Sequence, residues 1–429
     1  MKNILILTVD CWNLNIGANT SYTYSNLFST MEEYNISNIY IREELPNDPC
    51  CKRYFQIRES QIIKGLLKRT TKTGREVECG ALETEKDTEG IARQRDFYNK
   101  QRGRFYYTKK LIREAIWLLS PWKSKELDLF LKEVKPDIII FSMEGYIHFN
   151  RICRYALKKT KAKGIGYFWD DNFTYKQRPG NIGYMVLRFF QRNSLKKLSK
   201  KTNAFWAIAP KTKKEADEFF EIDCILLPKP MEREVSKQES REIEEPVKMF
   251  YAGNLMIGRL DSVKLIAEIF EEINKDKIRM SLDVYTSTLI PEELKKQGKG
   301  IEFHEPVSQS EVLRLQQNAD VLLFAEAITG KERKAARLSF STKIPDYLSC
   351  GKCIIAVGDK DIAPMEYFES EGVALCAENE EELRENLRRI LTEPHIMKEY
   401  GEKARLCALK NHSKDKIQEI VRNTINEVQ

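Results

Sequence analysis

The sequence predicts an α/β protein made of two successive βαβ domains, and three observations support this fold class. The chain has 429 residues, which is too long for one ordinary hydrophobic core. Short apolar runs alternate with amphipathic helical periods, the pattern of parallel strands covered on both faces by helices. A charged stretch at 229–246, KPMEREVSKQESREIEEP, interrupts this alternation, which then restarts. Two such domains usually hold a ligand in the cleft between them.

Each predicted strand is a short apolar run bounded by turn or charged residues. The runs of the first half are 4–9, 137–142, 164–169, 203–208 and 224–228. Those of the second half are 248–253, 281–286, 300–304, 320–325, 353–358 and 372–376. The helices predicted between them have apolar faces, one of which is formed by Val263, Ile266, Phe270 and Ile273.

These elements divide the chain into four parts. An N-terminal domain is expected over 1–228, a linker over 229–246, a C-terminal domain over 247–411 and a final helix over 412–429. The final helix has a single apolar stripe and must therefore pack against another element. Within the first domain, 45–105 is polar with one modest amphipathic piece, so an inserted and partly irregular region is expected there.

The composition is that of a globular protein. Hydrophobic residues make up 42% of the chain, and no apolar run approaches the roughly 18 residues of a membrane-spanning helix. The N-terminus enters a strand without a signal-peptide cleavage site, so a cytoplasmic protein is expected. Ten cysteines without regular spacing indicate reduced and mostly buried thiols.

Cys350 and Cys353 form a CxxC motif, which suggests either redox chemistry or part of a zinc site. A redox pair has its first thiolate at a helix N-terminus, but here a helix-like segment precedes the motif and the strand CIIAVG follows it. Gly351 is a natural residue to end that helix. A zinc site needs four ligands, and the sequence has neither a second CxxC nor an HxxxH. Buried cysteines at a helix-to-strand turn are the favoured interpretation.

The segment before this motif has the features of a phosphate site. Ser341 and Thr342 open a helix after an apolar strand and a charged loop, and free backbone N–H groups at a helix start bind phosphate. Asp346 lies about one turn further along and could accept hydrogen bonds from hydroxyls such as those of a ribose. The alternative is an ordinary N-cap followed by a solvated acid.

A second candidate element is FYAGNLMIGRLDSVK, from Phe250 to Lys264. A strand ends at Gly253, a loop follows, and Arg259 and Lys264 stand five residues apart at the start of the next helix. Such a pair can clamp a diphosphate and stabilise charge on a leaving group. The alternative is two surface cations in a chain that has 71 of them.

Together, GNLMIGRLDSVK and DYLSCGKCIIA resemble the retaining GT-B glycosyltransferases, especially the family four group that builds bacterial capsule, O-antigen and other surface polysaccharides. The resemblance implies two Rossmann-like domains facing across a cleft, with the last helix returning to the first domain. It implies that Arg259 and Lys264 bind the donor diphosphate as catalytic groups, and that Asp346 binds the ribose. The other donor-binding residues that it implies are Gly253, Asn254, Ser341, Thr342 and Lys343.

The first domain is similar to the same family at several positions. Gly17, in DCWNLNIGANTSYTYSNLF, matches the glycine that faces the donor phosphates, and is a further donor-binding candidate. Asp170 and Asp171, in YFWDDNFTY, match an acceptor-side segment. His148 is the candidate for the acceptor-side catalytic histidine, with a structural role as the alternative.

One departure concerns the family's signature of two acids eight residues apart. The position eight before Asp346 is Leu338, so the first acid is missing, and Cys353 stands where proline is usual. Arg337, Glu326 or Lys343 could supply compensating contacts, and the sequence does not choose between them.

The net charge of +7 is concentrated in one sector. Residues 151–201 carry +12 and the rest of the chain −5, which implies an anionic partner for this sector. Within it, 183–201 has an apolar set and a basic set at four-residue steps. The apolar set is Met185, Val186, Phe189 and Phe190, and the basic set is Arg188, Arg192, Lys196 and Lys200.

Two interpretations of 183–201 stand side by side. A basic amphipathic helix can lie on anionic lipid at the inner face of the membrane, which would suit a lipid-linked acceptor. The same pattern also fits a core-packed helix with a solvated basic face. Nucleic acid is not expected as a partner, because no nucleic-acid module accompanies the helix.

These features predict a hexosyltransferase-type enzyme of polysaccharide biosynthesis. It would move a sugar from a nucleotide-diphosphate sugar to a hydroxyl of a glycan or lipid-linked glycan, with retention of configuration. Neither a cofactor nor a metal is expected, since cationic side chains can do a metal's electrostatic work. The alternatives are a nucleotide-sugar epimerase on the same fold and a non-catalytic protein that binds sugar nucleotides or glycans.

Overall fold

The structure is a computed structural model that describes residues 1–14, 20–68, 70–82, 87–88, 91, 105–235, 244–330 and 332–428. The chain forms two compact units. The first comprises Met1–Ile208, Thr212–Leu227 and Asp415–Gln429, and the second comprises Ala209–Lys211 and Pro228–Lys414.

Fourteen strands and fifteen helices lie within the described residues. The strands are β1 (Lys2–Leu7), β2 (Tyr34–Tyr40), β3 (Arg53–Ile57), β4 (Gly74–Val77), β5 (Ile138–Ser142), β6 (Lys163–Phe168), β7 (Ala204–Ala207), β8 (Ile225–Leu226), β9 (Val247–Ala252), β10 (Met280–Tyr285), β11 (Ile301–His304), β12 (Val321–Ala325), β13 (Cys353–Val357) and β14 (Leu375–Ala377). The helices are α1 (Thr20–Phe28), α2 (Glu59–Leu67), α3 (Tyr106–Leu119), α4 (Lys125–Val134), α5 (Ile147–Thr160), α6 (Ile182–Ser199), α7 (Pro210–Phe220), α8 (Arg259–Ile273), α9 (Glu292–Lys296), α10 (Gln309–Asn318), α11 (Lys343–Ser349), α12 (Ala363–Glu371), α13 (Glu380–Thr392), α14 (His395–Asn411) and α15 (Lys414–Glu427).

The first unit is built on an eight-stranded sheet with the order β4-β3-β2-β1-β5-β6-β7-β8. All neighbouring strands are parallel except β3 and β4, which are antiparallel. The central strands are apolar because helices cover both of their faces, and the side chains of 4–7 and 138–141 are fully buried. The five strands predicted for this half of the chain are all present.

Region 45–105 differs from the expectation of an irregular insertion. Its described part contributes β3 and β4 to the edge of the sheet, and α2 lies between them in the chain. Strand β3, RYFQI, was not predicted, because the polar residue Gln56 interrupts its apolar pattern. That side chain is buried and donates to the backbone oxygens of Arg42 and Glu43, at 2.9 and 3.0 Å.

The second unit is built on a six-stranded, entirely parallel sheet with the order β11-β10-β9-β12-β13-β14. Helix α8 packs on it through Val263, Ile266 and Phe270, which are buried as predicted. Since β9 and β12 are neighbours at the centre, the loops that follow these two strands emerge side by side at one edge. This is the edge at which parallel α/β sheets bind ligands.

The last helix, α15, belongs to the first unit, as the sequence predicts. Its apolar stripe, which includes Ile417, Val421 and Ile425, is buried. Gln418 donates to the backbone oxygen of Leu27 at 2.7 Å, and Trp206 donates from Nε1 to the Thr424 hydroxyl at 3.1 Å.

Helix α6 exposes the apolar set of 183–201 and buries, wholly or in part, two of its four predicted basic residues. Arg188 is buried, where it donates to the backbone oxygen of Asp171 at 2.9 Å and to Gln177 at 2.8 Å. Arg192 is half-buried, with its guanidinium 4.0 Å from the Phe219 ring centre. The prediction of a solvent-exposed basic face is therefore wrong for the first half of the helix, because these two arginines point into the protein. The apolar set Met185, Val186, Phe189 and Phe190 is exposed instead.

The CxxC motif has the geometry of a helix-to-strand turn. Cys350 and Cys353 are free thiols and both are buried. Gly351 adopts a φ of 64°, the left-handed conformation of a residue that ends a helix. Burial raises the pKa of each thiol to about 12, so both are protonated at neutral pH. Buried thiols of this kind are poor nucleophiles.

Replacing both Cys350 and Cys353 by alanine is expected to lower the free energy of unfolding by about 1 kcal/mol for each small cavity formed. The melting temperature of the wild type should respond to neither a chelator nor a reductant. Thermal unfolding followed by circular dichroism measures both effects, with Cys407→Ala as a matched buried-cysteine control. A fall in the melting temperature on adding chelator or reductant would establish a zinc or redox role instead.

Candidate functional site

The loops after β9 and β12 bring a cation and an acid together. Arg259, the first residue of α8, donates from Nε and Nη2 to the two carboxylate oxygens of Glu326 at 2.9 and 2.8 Å. Its third nitrogen, Nη1, donates to Asn254 Oδ1 at 3.0 Å. The Arg259 side chain is 19% exposed and that of Glu326 is 7% exposed. A bidentate ion pair with so little solvent exposure holds the guanidinium in one orientation.

Lys343 brings a second cation to the same place. Its ammonium lies 4.5 Å from the centre of the Tyr251 ring. It also lies against Gly253, where an added Cβ would be only 2.1 Å from Lys343 Nζ. The φ of Gly253 is 147°, which other residues rarely adopt. Gly253 is therefore required both for the turn and for the position of this ammonium.

The electrostatics of this cluster, Arg259, Glu326 and Lys343, suit an anionic ligand. Burial and the nearby charge of Arg259 lower the pKa of Lys343 and Glu326 only partly offsets them, so that the pKa is about 8. An anion beside the ammonium would raise this pKa, because it favours the charged form. The cluster is thus a partly desolvated cationic site with one carboxylate for two cations.

Asp346, on α11, lies in a buried ion-pair group. Lys229 Nζ is 3.5 Å from Asp346 Oδ2, 2.7 Å from Glu232 Oε1 and 2.9 Å from the Thr342 carbonyl oxygen. The other carboxylate oxygen, Asp346 Oδ1, is buried and has no hydrogen-bond donor among the residues that the structure describes. Buried oxygens are nearly always hydrogen-bonded, so this oxygen is suited to accept from a ligand.

Burial also sets the protonation of Asp346. It raises the pKa of the carboxyl to about 6; Lys229 opposes this increase, and Glu232 adds to it. The group is mostly ionised at neutral pH, as a hydrogen-bond acceptor for hydroxyls must be.

The first residues of the expected linker are part of this group. Lys229 is fully buried, and Arg233 donates to the Asp346 carbonyl oxygen at 3.3 Å and to Gln316 at 3.2 Å, and contacts Cys350. Residues 229–233 are therefore anchored on the second unit rather than free, while 236–243 lie outside the described residues. Sequence reasoning missed Lys229 and Arg233, since a charged stretch poor in apolar residues favours a linker.

The other residues predicted to bind the donor have fewer contacts with the Arg259, Glu326 and Lys343 cluster, or lie outside the described residues. Lys264 is 44% exposed, and its ion pair is with Asp261 at 3.5 Å. Within the described ranges, Lys264 forms no hydrogen bond or ion pair with Arg259 or Glu326. Ser341 accepts a hydrogen bond from the Lys343 backbone N–H at 3.4 Å. Gly17 lies outside the described residues.

Leu338 and Glu326 bear on the signature acid that is missing from the sequence. Leu338, where the acid is absent, is fully buried. Glu326 supplies the carboxylate of the cluster, and it was one of three residues considered for that compensation. The position of Glu326 directly after the apolar strand DVLLFA was the sequence signal that could have distinguished it from the other two residues.

The first unit has its own polar cavity, of about 200 Å³, at the carboxyl ends of β5 and β6. Glu144 follows β5 and Asp170 follows β6, and both line the cavity with Asn172 and Gln191. Burial raises the pKa of Glu144 to about 8, helped by the charges of Asp170 and Asp10. These three carboxylates follow the three neighbouring strands β6, β5 and β1.

Two other first-unit candidates have structural contacts. His148 is buried, with Nδ1 2.9 Å from Glu114 Oε2 and its ring stacked on Trp117 at 4.3 Å between centres. Asp171 is also buried and accepts from the Thr174 backbone N–H at 2.8 Å. These contacts give both residues structural partners, His148 Nε2 is buried without a hydrogen-bond partner among the described residues, and a role of either residue in chemistry stays a prediction.

One group of residues in the described part of the chain has metal-ligating geometry. Asp283, Glu302 and His304, on the neighbouring strands β10 and β11, have ligand atoms within 4.8 Å of one another. His304 Nε2 is 2.8 Å from Asp283 Oδ1. All three are exposed or half-exposed, as ordinary surface groups are, and the expectation of a metal-independent protein stays a prediction.

The chain has two α/β units built on mainly parallel sheets, and its final helix belongs to the first unit. This architecture is the GT-B fold. Residues 266–422, somewhat more than a third of the chain, match a family model described as glycosyl transferase-like. No curated protein matched the sequence.

Solved structures agree with this fold over the full chain. Sucrose-phosphate synthase from Thermosynechococcus elongatus superposes with a TM-score of 0.59 at 10% identity, covering 100% of this chain and 99% of its own. Anabaena Alr3699/HepE, in complex with UDP, gives 0.60 at 10% identity and covers 100% of both chains. Alpha,alpha-trehalose 6-phosphate synthase from Burkholderia multivorans gives 0.60 at 10% identity, covering 100% of this chain and 97% of its own. At these identities the likeness establishes the fold alone.

Glu144→Gln is expected to stabilise the protein at high pH and to have little effect at low pH. Because the folded-state pKa of Glu144 is raised, the folded protein binds more protons than the unfolded chain between about pH 4.5 and 8, and its stability falls as the pH rises. After allowance for partial exposure, the variant should gain about 2 kcal/mol at pH 8, or roughly 5 °C in melting temperature.

Thermal unfolding at pH 5 and pH 8 measures this difference. The exposed Glu218→Gln, in the same unit, is the control and should show none. Equal effects of Glu144→Gln at the two pH values would contradict the raised pKa.

Proposed function

We propose that the protein is a glycosyltransferase. It would transfer a sugar from a nucleotide-diphosphate sugar to a hydroxyl of a glycan or lipid-linked glycan in polysaccharide biosynthesis, with retention of configuration and without a metal. The observation that carries the proposal is the cationic cluster at the ends of β9 and β12, where Glu326 orients Arg259 beside Lys343. The match of 266–422 to a glycosyl transferase-like model and the UDP complexes of HepE support it.

The cluster suits the departure of a nucleoside diphosphate. In the proposed reaction the bond from the anomeric carbon to the diphosphate oxygen breaks, a bond from that carbon to the acceptor oxygen forms, and the proton of the acceptor hydroxyl passes to the departing diphosphate. The leaving diphosphate gains negative charge, which Arg259 and Lys343 would stabilise in a largely buried site. Two side-chain cations would thereby do the work of a divalent metal.

The nucleoside and acceptor would be held by carboxylates. Asp346 Oδ1, which is buried and has no donor in the part of the chain that the structure describes, would accept a hydrogen bond from a ribose hydroxyl. In the first unit, the cavity lined by Glu144, Asp170, Asn172 and Gln191 offers acceptors and donors suited to sugar hydroxyls. Such convergent polar groups are typical of sites that bind polyhydroxylated ligands.

One observation favours a second function, a sugar-nucleotide-binding protein without catalysis. Leu338 stands where the resembling family has its first signature acid, and it is buried in the core. Incubating the protein with nucleotide sugars and candidate acceptors distinguishes the two functions. Stoichiometric donor binding with neither transfer nor hydrolysis would favour the binding protein, and conversion of the donor to an isomer would identify an epimerase.

Arg259→Met is expected to lower kcat/KM for donor hydrolysis or transfer by about 100-fold, because it removes a charge that stabilises the leaving group. Glu326→Gln should have a similar but smaller effect, since the guanidinium loses its orienting partner. A thermal-shift screen of UDP-, GDP- and dTDP-sugars first identifies the donor.

The matched control for these variants is Lys275→Met, an exposed cation of the same unit. Activity should also persist in excess EDTA. The proposal is contradicted if Arg259→Met retains wild-type kcat/KM or if no nucleotide sugar binds.

Donor affinity is expected to fall as the pH rises above about 8. In the free protein the lowered pKa of Lys343 leaves the amine partly neutral there, whereas a bound diphosphate requires the ammonium. The dissociation constant should then increase by up to about tenfold per pH unit above that value. Isothermal titration calorimetry between pH 6.5 and 9.5 measures it.

Two variants of Lys343 test the origin of this pH dependence. Lys343→Met should bind the donor weakly and with a flat profile over the same range, and Lys343→Arg should be flat but tighter than Lys343→Met, because its charge persists. A wild-type slope that survives in Lys343→Met would assign the titration to another group.

A further inference from the structure

The first unit exposes many large apolar side chains on three neighbouring helices. Of the 23 exposed large hydrophobic residues in the described part of the chain, 12 lie on α2, α3 or α6 or directly precede α3. They are Ile63, Leu66, Leu67, Phe105, Ile112, Leu118, Leu119, Ile182, Met185, Val186, Phe189 and Phe190. Soluble proteins rarely concentrate apolar side chains in this way without a partner.

Helix α6 shows the pattern most clearly. Its inner face packs through Tyr184, Leu187, Leu195 and Leu198. The first half of its outer face is apolar, with Ile182 78% exposed and Phe189 53% exposed. The second half of that face is basic, because Lys196, Lys197 and Lys200 are exposed. This helix therefore presents an apolar segment and a cationic segment on one side.

The three helices adjoin one another. At the N-terminal end of α3, Tyr107 lies against Tyr184 of α6, with 5.9 Å between ring centres. At the C-terminal end of α3, the Ser120 hydroxyl donates to the Ile62 carbonyl oxygen of α2 at 3.0 Å. The apolar residues on the outer sides of these helices therefore belong to one three-helix surface, formed by α2, α3 and α6.

The charge of the three-helix surface has one sign. The acids on these helices are Glu59 and Glu114, and both are engaged inside the unit: Glu59 accepts from Arg113 Nη2 at 3.0 Å, and Glu114 accepts from the His148 backbone N–H at 2.9 Å. The exposed charges are cations on all three helices. They are Lys64 on α2, Lys109 on α3, and Lys196 and Lys197 on α6.

We infer that the three-helix surface docks on an anionic lipid bilayer. Its apolar side chains would enter the headgroup region while the lysines contact lipid phosphates, the arrangement of interfacial helices. No helix in the described residues has the length and apolarity to cross a membrane. A second copy of the chain fits this surface less well, because a symmetric contact would place like charges together. The inference does not depend on the proposed enzymatic activity.

Vesicle co-sedimentation of the full chain tests the inference directly. The wild type should sediment with vesicles of equal parts phosphatidylglycerol and phosphatidylcholine, and much less with vesicles of phosphatidylcholine alone. Lys196→Glu, Lys197→Glu and Lys200→Glu combined should weaken binding to the anionic vesicles on the order of 100-fold, since each cation near the surface contributes about fivefold. Phe189→Ser with Phe190→Ser should weaken it at least tenfold.

A matched variant in the second unit is the control. Lys275→Glu, Lys277→Glu and Lys296→Glu make the same change in net charge elsewhere, and binding should stay within about twofold of the wild type. The inference is overturned if the wild type fails to sediment with anionic vesicles, or if this control loses as much binding as the variant on α6. It is also overturned if sedimentation velocity without lipid shows a dimer that Phe189→Ser with Phe190→Ser dissociates.

Discussion

The ion pair between Arg259 and Glu326 is the interaction on which the candidate donor site depends. It joins the first residue of α8 to the residue after β12, and the Ser262 hydroxyl adds a hydrogen bond to the Glu326 carbonyl oxygen at 2.6 Å. A guanidinium with so little solvent would be destabilising without a carboxylate beside it. Because Glu326 neutralises only one of two cations, the cluster keeps a positive charge that would favour an anion. The close approach of Lys343 to Gly253 then sets where that anion can lie.

The same principle operates at Asp346 with the signs reversed. Two carboxylates, Asp346 and Glu232, share the single ammonium of Lys229, and Lys229 lies closer to Glu232. Burial raises the pKa of Asp346, Lys229 only partly opposes this increase, and Asp346 Oδ1 has no hydrogen-bond donor among the described residues. Each group thus contains one buried charged side chain that its ion-pair partners satisfy only in part, the ammonium of Lys343 and the carboxylate of Asp346. A nucleoside diphosphate, with an anionic diphosphate and hydroxyl donors on its ribose, would satisfy both.

The fold could be predicted from the sequence wherever a strand is apolar throughout, and not where buried polar side chains find distant partners. Strand β1 is apolar and was predicted, whereas β2, YNISNIY, was missed. Its Asn38 is buried and donates to the Ile6 carbonyl oxygen at 2.9 Å and the Thr8 hydroxyl at 3.0 Å. Helix α6 illustrates a second limit. Both of its sides carry large apolar residues, so its periodicity could not decide which side faces the core.

The candidate site, too, could be predicted only in part from the sequence. Gly253, Arg259 and Asp346 lie in local motifs and could be named from spacing, but their partners Glu326 and Lys229 are 67 and 117 residues away in the chain. The first unit shows why topology matters as much as distance. Asp10, Glu144 and Asp170 converge only because β1, β5 and β6 are neighbours in the sheet, and their charges add to the effect of burial, which raises the pKa of Glu144. Strand order is decided by how helices pack between strands, so an acid after a strand becomes informative only when its neighbouring strands are known.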